Sequence, residues 1–95
     1  MISLAILAAC AIAAVLFILH FADIKKWFRN QYEVDNIETY RVVVKARLKS
    51  GQYKTIAGVF NDNTQEIYSQ TAWKSDKIDA ELQAMDQVSP IFNLE

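Results

Sequence analysis

Residues 2–22 read ISLAILAACAIAAVLFILHFA, an apolar run of 21 residues with no formally charged side chain before Asp23. A helix of that length spans about 30 Å at 1.5 Å per residue, the hydrocarbon thickness of a bilayer. Eleven of its positions are Leu, Ile, Val or Phe. At about −0.3 to −0.6 kcal/mol each near a helix centre, they favour insertion by roughly −3 to −7 kcal/mol. Ser3 and His20 oppose this only weakly, because both lie near an end of the run. The expectation is one uncleaved transmembrane helix over residues 1–22.

Two other readings of the N-terminus compete with it. A secretory signal carries basic residues ahead of a shorter apolar core, and none precedes this run. Leu7-Ala8-Ala9-Cys10 matches the short pattern processed in bacterial lipoproteins, but a chain beginning at Cys10 would keep a second apolar stretch, AIAAVLFILHF. Within the run, Ala5, Ala9 and Ala13 recur every four residues, giving a small-residue face on which another helix can pack closely. Cys10 is the single cysteine, so no disulfide and no thiolate metal site can form within one chain.

Lys25, Lys26 and Arg29 follow directly, offset only by Asp23. Positive charge stays inside, so the chain is expected in the cell (inner) membrane with its C-terminal part in the cytoplasm. At 3.6 residues per turn Phe21, Ile24, Trp27, Phe28 and Tyr32 share one arc and the basic residues another. Residues 23–36 therefore read as a basic amphipathic juxtamembrane extension and linker. In it Lys25, Lys26, Trp27, Phe28 and Arg29 would sit at the membrane interface, with lipid as partner. Polar residues Glu33 to Asn36 mark the linker.

Residues 37–95 are expected to form a small β-β-β-α soluble domain. From Thr39 to Lys49, Tyr40, Val42, Val44, Ala46 and Leu48 alternate with Arg41, Val43, Lys45, Arg47 and Lys49, the period of a half-buried strand. Ser50-Gly51 signals a turn, 52–60 a hairpin partner, 61–64 a second turn, and residues 65–73 a third strand of open register. Ser75 or Asp76 is a good helix cap, Ile78, Leu82 and Met85 make an apolar stripe, and Pro90 follows its end. The tail Ile91-Phe92-Asn93-Leu94 is apolar enough to fold back on the sheet or dock on a partner. The fold class expected is α+β: a single N-terminal transmembrane helix, then a three-stranded antiparallel β-meander with one C-terminal covering helix.

The net charge of −1 averages two unlike halves. From Asp23 to Lys54 there are eight Lys/Arg against four Asp/Glu, and from Thr55 to Glu95 two against seven. On the strand face taken as outward, Arg41, Lys45, Arg47 and Lys49, joined by Lys54, form a basic binding face for an acidic ligand or anionic lipid. Nucleic acid is disfavoured, because no aromatic residues interleave with these charges. With one His, one Cys and two glycines, neither a catalytic pair nor a phosphate loop can be built, and no cofactor, metal or small-molecule substrate is expected. The function expected is a non-enzymatic accessory, assembly or regulatory subunit of a larger membrane complex, partnered by another membrane protein or by itself. The alternatives are a tethered module recruiting through the basic face, or a lipoprotein processed at Cys10.

Overall fold

A computed structural model of the chain describes residues 10–31, 39–61, 66–92 and 94. The apolar run breaks into pieces there: residues 10–13 are irregular, β1 is the strand Ala14–Leu19, and α1 is the helix Phe21–Arg29. Val15, Phe17 and Ile18 are β-branched or aromatic and suit a pleated surface. His20 is extended, with φ −98° and ψ 145°, and caps α1. Its N–H donates to the Asp23 carboxylate at 3.3 Å, and the Asp23 N–H donates to the His20 carbonyl at 3.0 Å. No helix among the described residues is long and apolar enough to cross a membrane. The transmembrane helix over residues 1–22 is thus corrected, and the single-pass and plasma-membrane assignments lose their basis. Several of the run's apolar side chains meet protein instead of lipid.

The remaining elements are β2 (Thr39–Arg47), β3 (Tyr53–Asn61), β4 (Ile67–Ile78), α2 (Ala80–Ala84) and β5 (Val88–Pro90). They make one five-stranded mixed sheet in the order β1-β4-β3-β2-β5. β1 runs parallel to β4, and every other neighbouring pair is antiparallel. The expected three-stranded meander under one helix is corrected to this sheet with two short helices. β2 and β3 join through a tight turn in which Gly51, at φ +90°, takes the left-handed conformation that other residues resist.

β4 overruns the expected helix start. Ser75 and Asp76 stay in the strand because β1 supplies a pairing partner there, with Leu16 opposite Ser75 and Ile18 opposite Lys77. The cap falls instead to Asp79, whose carboxylate accepts the Leu82 N–H at 3.0 Å. A shift in pairing between Val59 and Phe60 settles the open register of the third strand. It lets Ile67 and Ala72, of opposite parity, join the same apolar cluster, while Trp73 joins the other.

Apolar side chains cluster on both faces of the sheet, which is why β2 and β3 carry the near-continuous runs VVV and IAGVF. On the helix-bearing face the buried cluster is Leu19, Ile24, Phe28, Val43, Ala57, Val59, Ile78, Leu82 and Ile91. On the opposite face Val42, Val44, Ile56, Phe60 and Ala72 are buried with Cys10. α1 contributes Ile24 and Phe28, four residues apart on one side, and Trp27 packs edge-on against Phe28 and Trp73.

Candidate interaction surface

A sheet of this order has two edges, and they differ in kind. β5 is three residues long and ends in Pro90, which has no N–H to offer a further strand. β1 is six residues, AVLFIL, without charge, proline or glycine. Among the described residues its one neighbour is β4.

Main-chain groups along β1 alternate in direction. The Ala13 N–H donates to the Ala72 carbonyl at 2.8 Å, and the Leu19 carbonyl accepts the Asp79 N–H at 3.1 Å. Odd-numbered residues therefore bond inward to β4 and its extension, and the N–H and C=O of Ala14, Leu16 and Ile18 point away from the sheet. Val15 is 67% exposed and Phe17 65%, the two most exposed side chains of β1. Lys77 Nζ sits 5.4 Å from the Phe17 ring centroid, a charge laid over one aromatic face. On the helix-bearing side, Ala14, Leu16 and Ile18 line a groove of about 410 Å³ with Trp73 and with Asp23, Lys26, Trp27 and Asn30. That wall carries one acid and one base.

The residues singled out in the sequence are placed as follows. Ala5 and Ala9 lie outside the described residues, as do residues 2–8 of the apolar run, Tyr32, the linker 33–36 and most of the second turn. Ala13 is exposed just before β1. Phe28 is wholly buried and Trp27 half-buried, so both belong to the protein core and its margin. Lys25 lies over the Phe21 ring, Lys26 lines the groove, and Arg29 donates to the Leu94 carbonyl.

Arg41, Lys45 and Arg47 share a face with Val43, the face that bears the helices. Arg41 donates from Nε to the Ile91 carbonyl at 2.9 Å and from a terminal nitrogen to the Phe92 carbonyl at 3.0 Å. Lys45 donates to the carbonyls of Leu82 and Met85, closing the C-terminal end of α2. Arg47 stacks over Tyr53 and donates to its hydroxyl at 3.2 Å. Lys49 is exposed in the turn, and Lys54, opposite Ala46, points to the other face of the sheet. Arg41, Lys45 and Arg29 thus fasten α2 and the tail, and the five basic residues do not converge on one surface.

A second groove, about 500 Å³, opens between α2 and the ends of β2 and β3, where Lys45, Arg47, Tyr53, Ile78, Gln83 and Gln87 line it. Among the described residues no three His, Cys, Asp or Glu side chains come close enough to hold a metal ion. The β1 edge was missed in the sequence. Its signal was the strand-forming set Val15, Phe17 and Ile18 followed by the His20–Asp23 helix start. No protein-family model, no curated protein and no solved structure matches this chain.

Proposed function

We propose that this chain is a small non-enzymatic interaction module, an accessory or assembly subunit that joins another polypeptide by strand addition at the β1 edge. One observation carries the reading: the β5 edge is short and ends in proline, whereas the β1 edge is longer, wholly apolar and, among the described residues, open except for Lys77 over the Phe17 ring. An open edge offers rows of N–H and C=O groups to a further strand, and folded proteins ordinarily blunt it with charge, proline or cover. Strand addition turns those groups into main-chain hydrogen bonds, and alternate side chains then set specificity. Here Val15 and Phe17 supply one set of alternate contacts and the groove beside Leu16 the other.

The test is a pair of exposed substitutions, Val15→Lys with Phe17→Lys, which charge the edge and remove no buried contact. In native extracts the unaltered chain is expected in an assembly heavier than its own 10.8 kDa. The double variant is expected at the single-chain mass. Val88→Lys, an exposed apolar position at the other edge, should leave the assembly in place. An assembly that survives the double variant would overturn the proposal.

A further inference from the structure

We infer that the strand completing the β1 edge is β1 of a second copy, paired antiparallel about a two-fold axis through Leu16, so that two five-stranded sheets become one. The inference rests on the edge reading above and names its partner. Three observations select this occupant and this register.

The first is hydrogen-bond accounting. Each copy turns three N–H and three C=O groups outward, at Ala14, Leu16 and Ile18. With the axis at Leu16, residue 16 faces its own copy and Ala14 faces Ile18 of the partner copy. Every outward group on both edges is then satisfied, in six hydrogen bonds by the antiparallel pattern. Moving the axis to Phe17 leaves Ala14 opposite His20, whose N–H and C=O already serve Asp23.

The second is side-chain fit. Paired residues point to the same side of a sheet, so only registers that keep odd opposite odd preserve the two faces. The Leu16 axis sets Val15 against Phe17 of the other copy, twice, and these are the two most exposed side chains of β1. On the groove side it sets small Ala14 against large Ile18.

The third is charge and area. β1 itself carries no charge, which suits an uncharged partner strand; Lys77 lies over the Phe17 ring beside it, and the groove wall carries one acid, Asp23, and one base, Lys26. Val15, Phe17, Ile18 and the edge backbone would put roughly 400–500 Å² per copy into the contact, about 800–1,000 Å² in all, below the roughly 1,200 Å² of stable interfaces and in the range of weak, transient ones. Association is therefore expected to be weak and reversible. A two-fold contact of this kind also closes on itself, which a head-to-tail contact would not.

The purified full chain is examined by light scattering across a concentration series, and by disulfide trapping in a Cys10→Ala background. The mass is expected to rise to twice 10.8 kDa and to return to the single-chain value in the Val15→Lys/Phe17→Lys variant. An equimolar mixture of Val15→Cys and Phe17→Cys chains should form a disulfide-linked heterodimer, since directly opposed non-hydrogen-bonded residues lie about 4.5 Å apart between Cα atoms. Either variant alone should not, because its own copy lies two residues away along the strand. Trapping of Phe17→Cys alone would overturn the register. A chain that stays monomeric when purified, while the charged variant still dissolves the assembly in native extracts, would overturn the second copy and leave strand addition standing. If the charged variant changes neither, both fall. Trp27 and Trp73, the two tryptophans, flank the groove, so a cooperative fluorescence melt of each variant, at a dilution where the parent is a single chain, shows that it has folded.

Discussion

The Oγ1 of Thr55 and the Oγ of Ser75 are fully buried and have no hydrogen-bond partner among the described residues. Thr55 stands opposite Trp73 and Ser75 opposite Tyr53, on the helix-bearing face of neighbouring strands. A buried hydroxyl left unpaired costs about 1–3 kcal/mol. Valine keeps the shape of threonine and replaces that hydroxyl with a methyl group. Thr55→Val is therefore expected to stabilise the fold by about 1 kcal/mol. The denaturant midpoint should move up with its slope unchanged, and a midpoint that falls would mean the hydroxyl has a partner in solution. Arg41 and Lys45 illustrate the opposite situation. Their alternation along β2 is plain in the sequence, but which face they occupy is not. A long aliphatic stem lets a charged head lie on a covered face and still reach a carbonyl, so period two alone could not distinguish a wet face from a face that fastens α2 and the tail.

At the level of elements, one carboxylate organises three chain segments. Asp79 accepts the Leu82 N–H through Oδ1 and the Phe21 N–H through Oδ2 at 2.9 Å, so it caps α2 and α1 together, and its own N–H binds the end of β1. His20 Nδ1 lies 3.8 Å from the same carboxylate. Each cap bond contributes about 1 kcal/mol, so Asp79→Ala should lower stability by about 2 kcal/mol, read from chemical denaturation. Asp79→Asn keeps one acceptor oxygen and should lose about half as much; an alanine variant as stable as the parent would refute the double cap. The same junction explains what the sequence could and could not disclose. β2, β3 and their turn were legible because Val42, Val44 and Gly51 obey local rules. β1 was not, because uniform apolarity is shared by a lipid-facing helix and a strand, and the choice was made by β4, some 60 residues away in sequence. The end of β4 was hidden for the same reason: Ser75 caps well locally, yet pairing with Leu16 holds it in the strand. β5, at three residues, is too short to carry a periodic signal.

Across the whole molecule, the order of residues in the chain and their position in the core diverge. Reading the sequence divides the chain near residue 36 and expects residues 37–95 to form a separate domain, marginal alone and completed by another chain, a partner or the membrane. However, Leu19, Ile24 and Phe28, all wholly buried, come from the first 29 residues, and they sit in the same cluster as Val43, Val59 and Leu82. Burial of each is worth roughly 1.5–3 kcal/mol, so their loss removes roughly 5–9 kcal/mol. That is comparable to the entire stability of a small domain, about 5–15 kcal/mol. Removing β1 would also leave Trp73 to Ser75 paired on the β3 side alone, and Lys77 and Ile78 without the strand they pair with. A fragment of residues 37–95 is accordingly expected to show no cooperative thermal transition by circular dichroism. Its Trp73 emission should be shifted to the red, because Trp27 and the rest of α1 no longer cover the ring. A separate peptide spanning residues 10–36, added in excess, should restore both the transition and the blue-shifted emission by rebuilding the core in trans. A fragment that melts cooperatively on its own would mean that β2, β3 and β4 close their core without the N-terminal segment, and that β1 and α1 are attachments to the fold, not part of it.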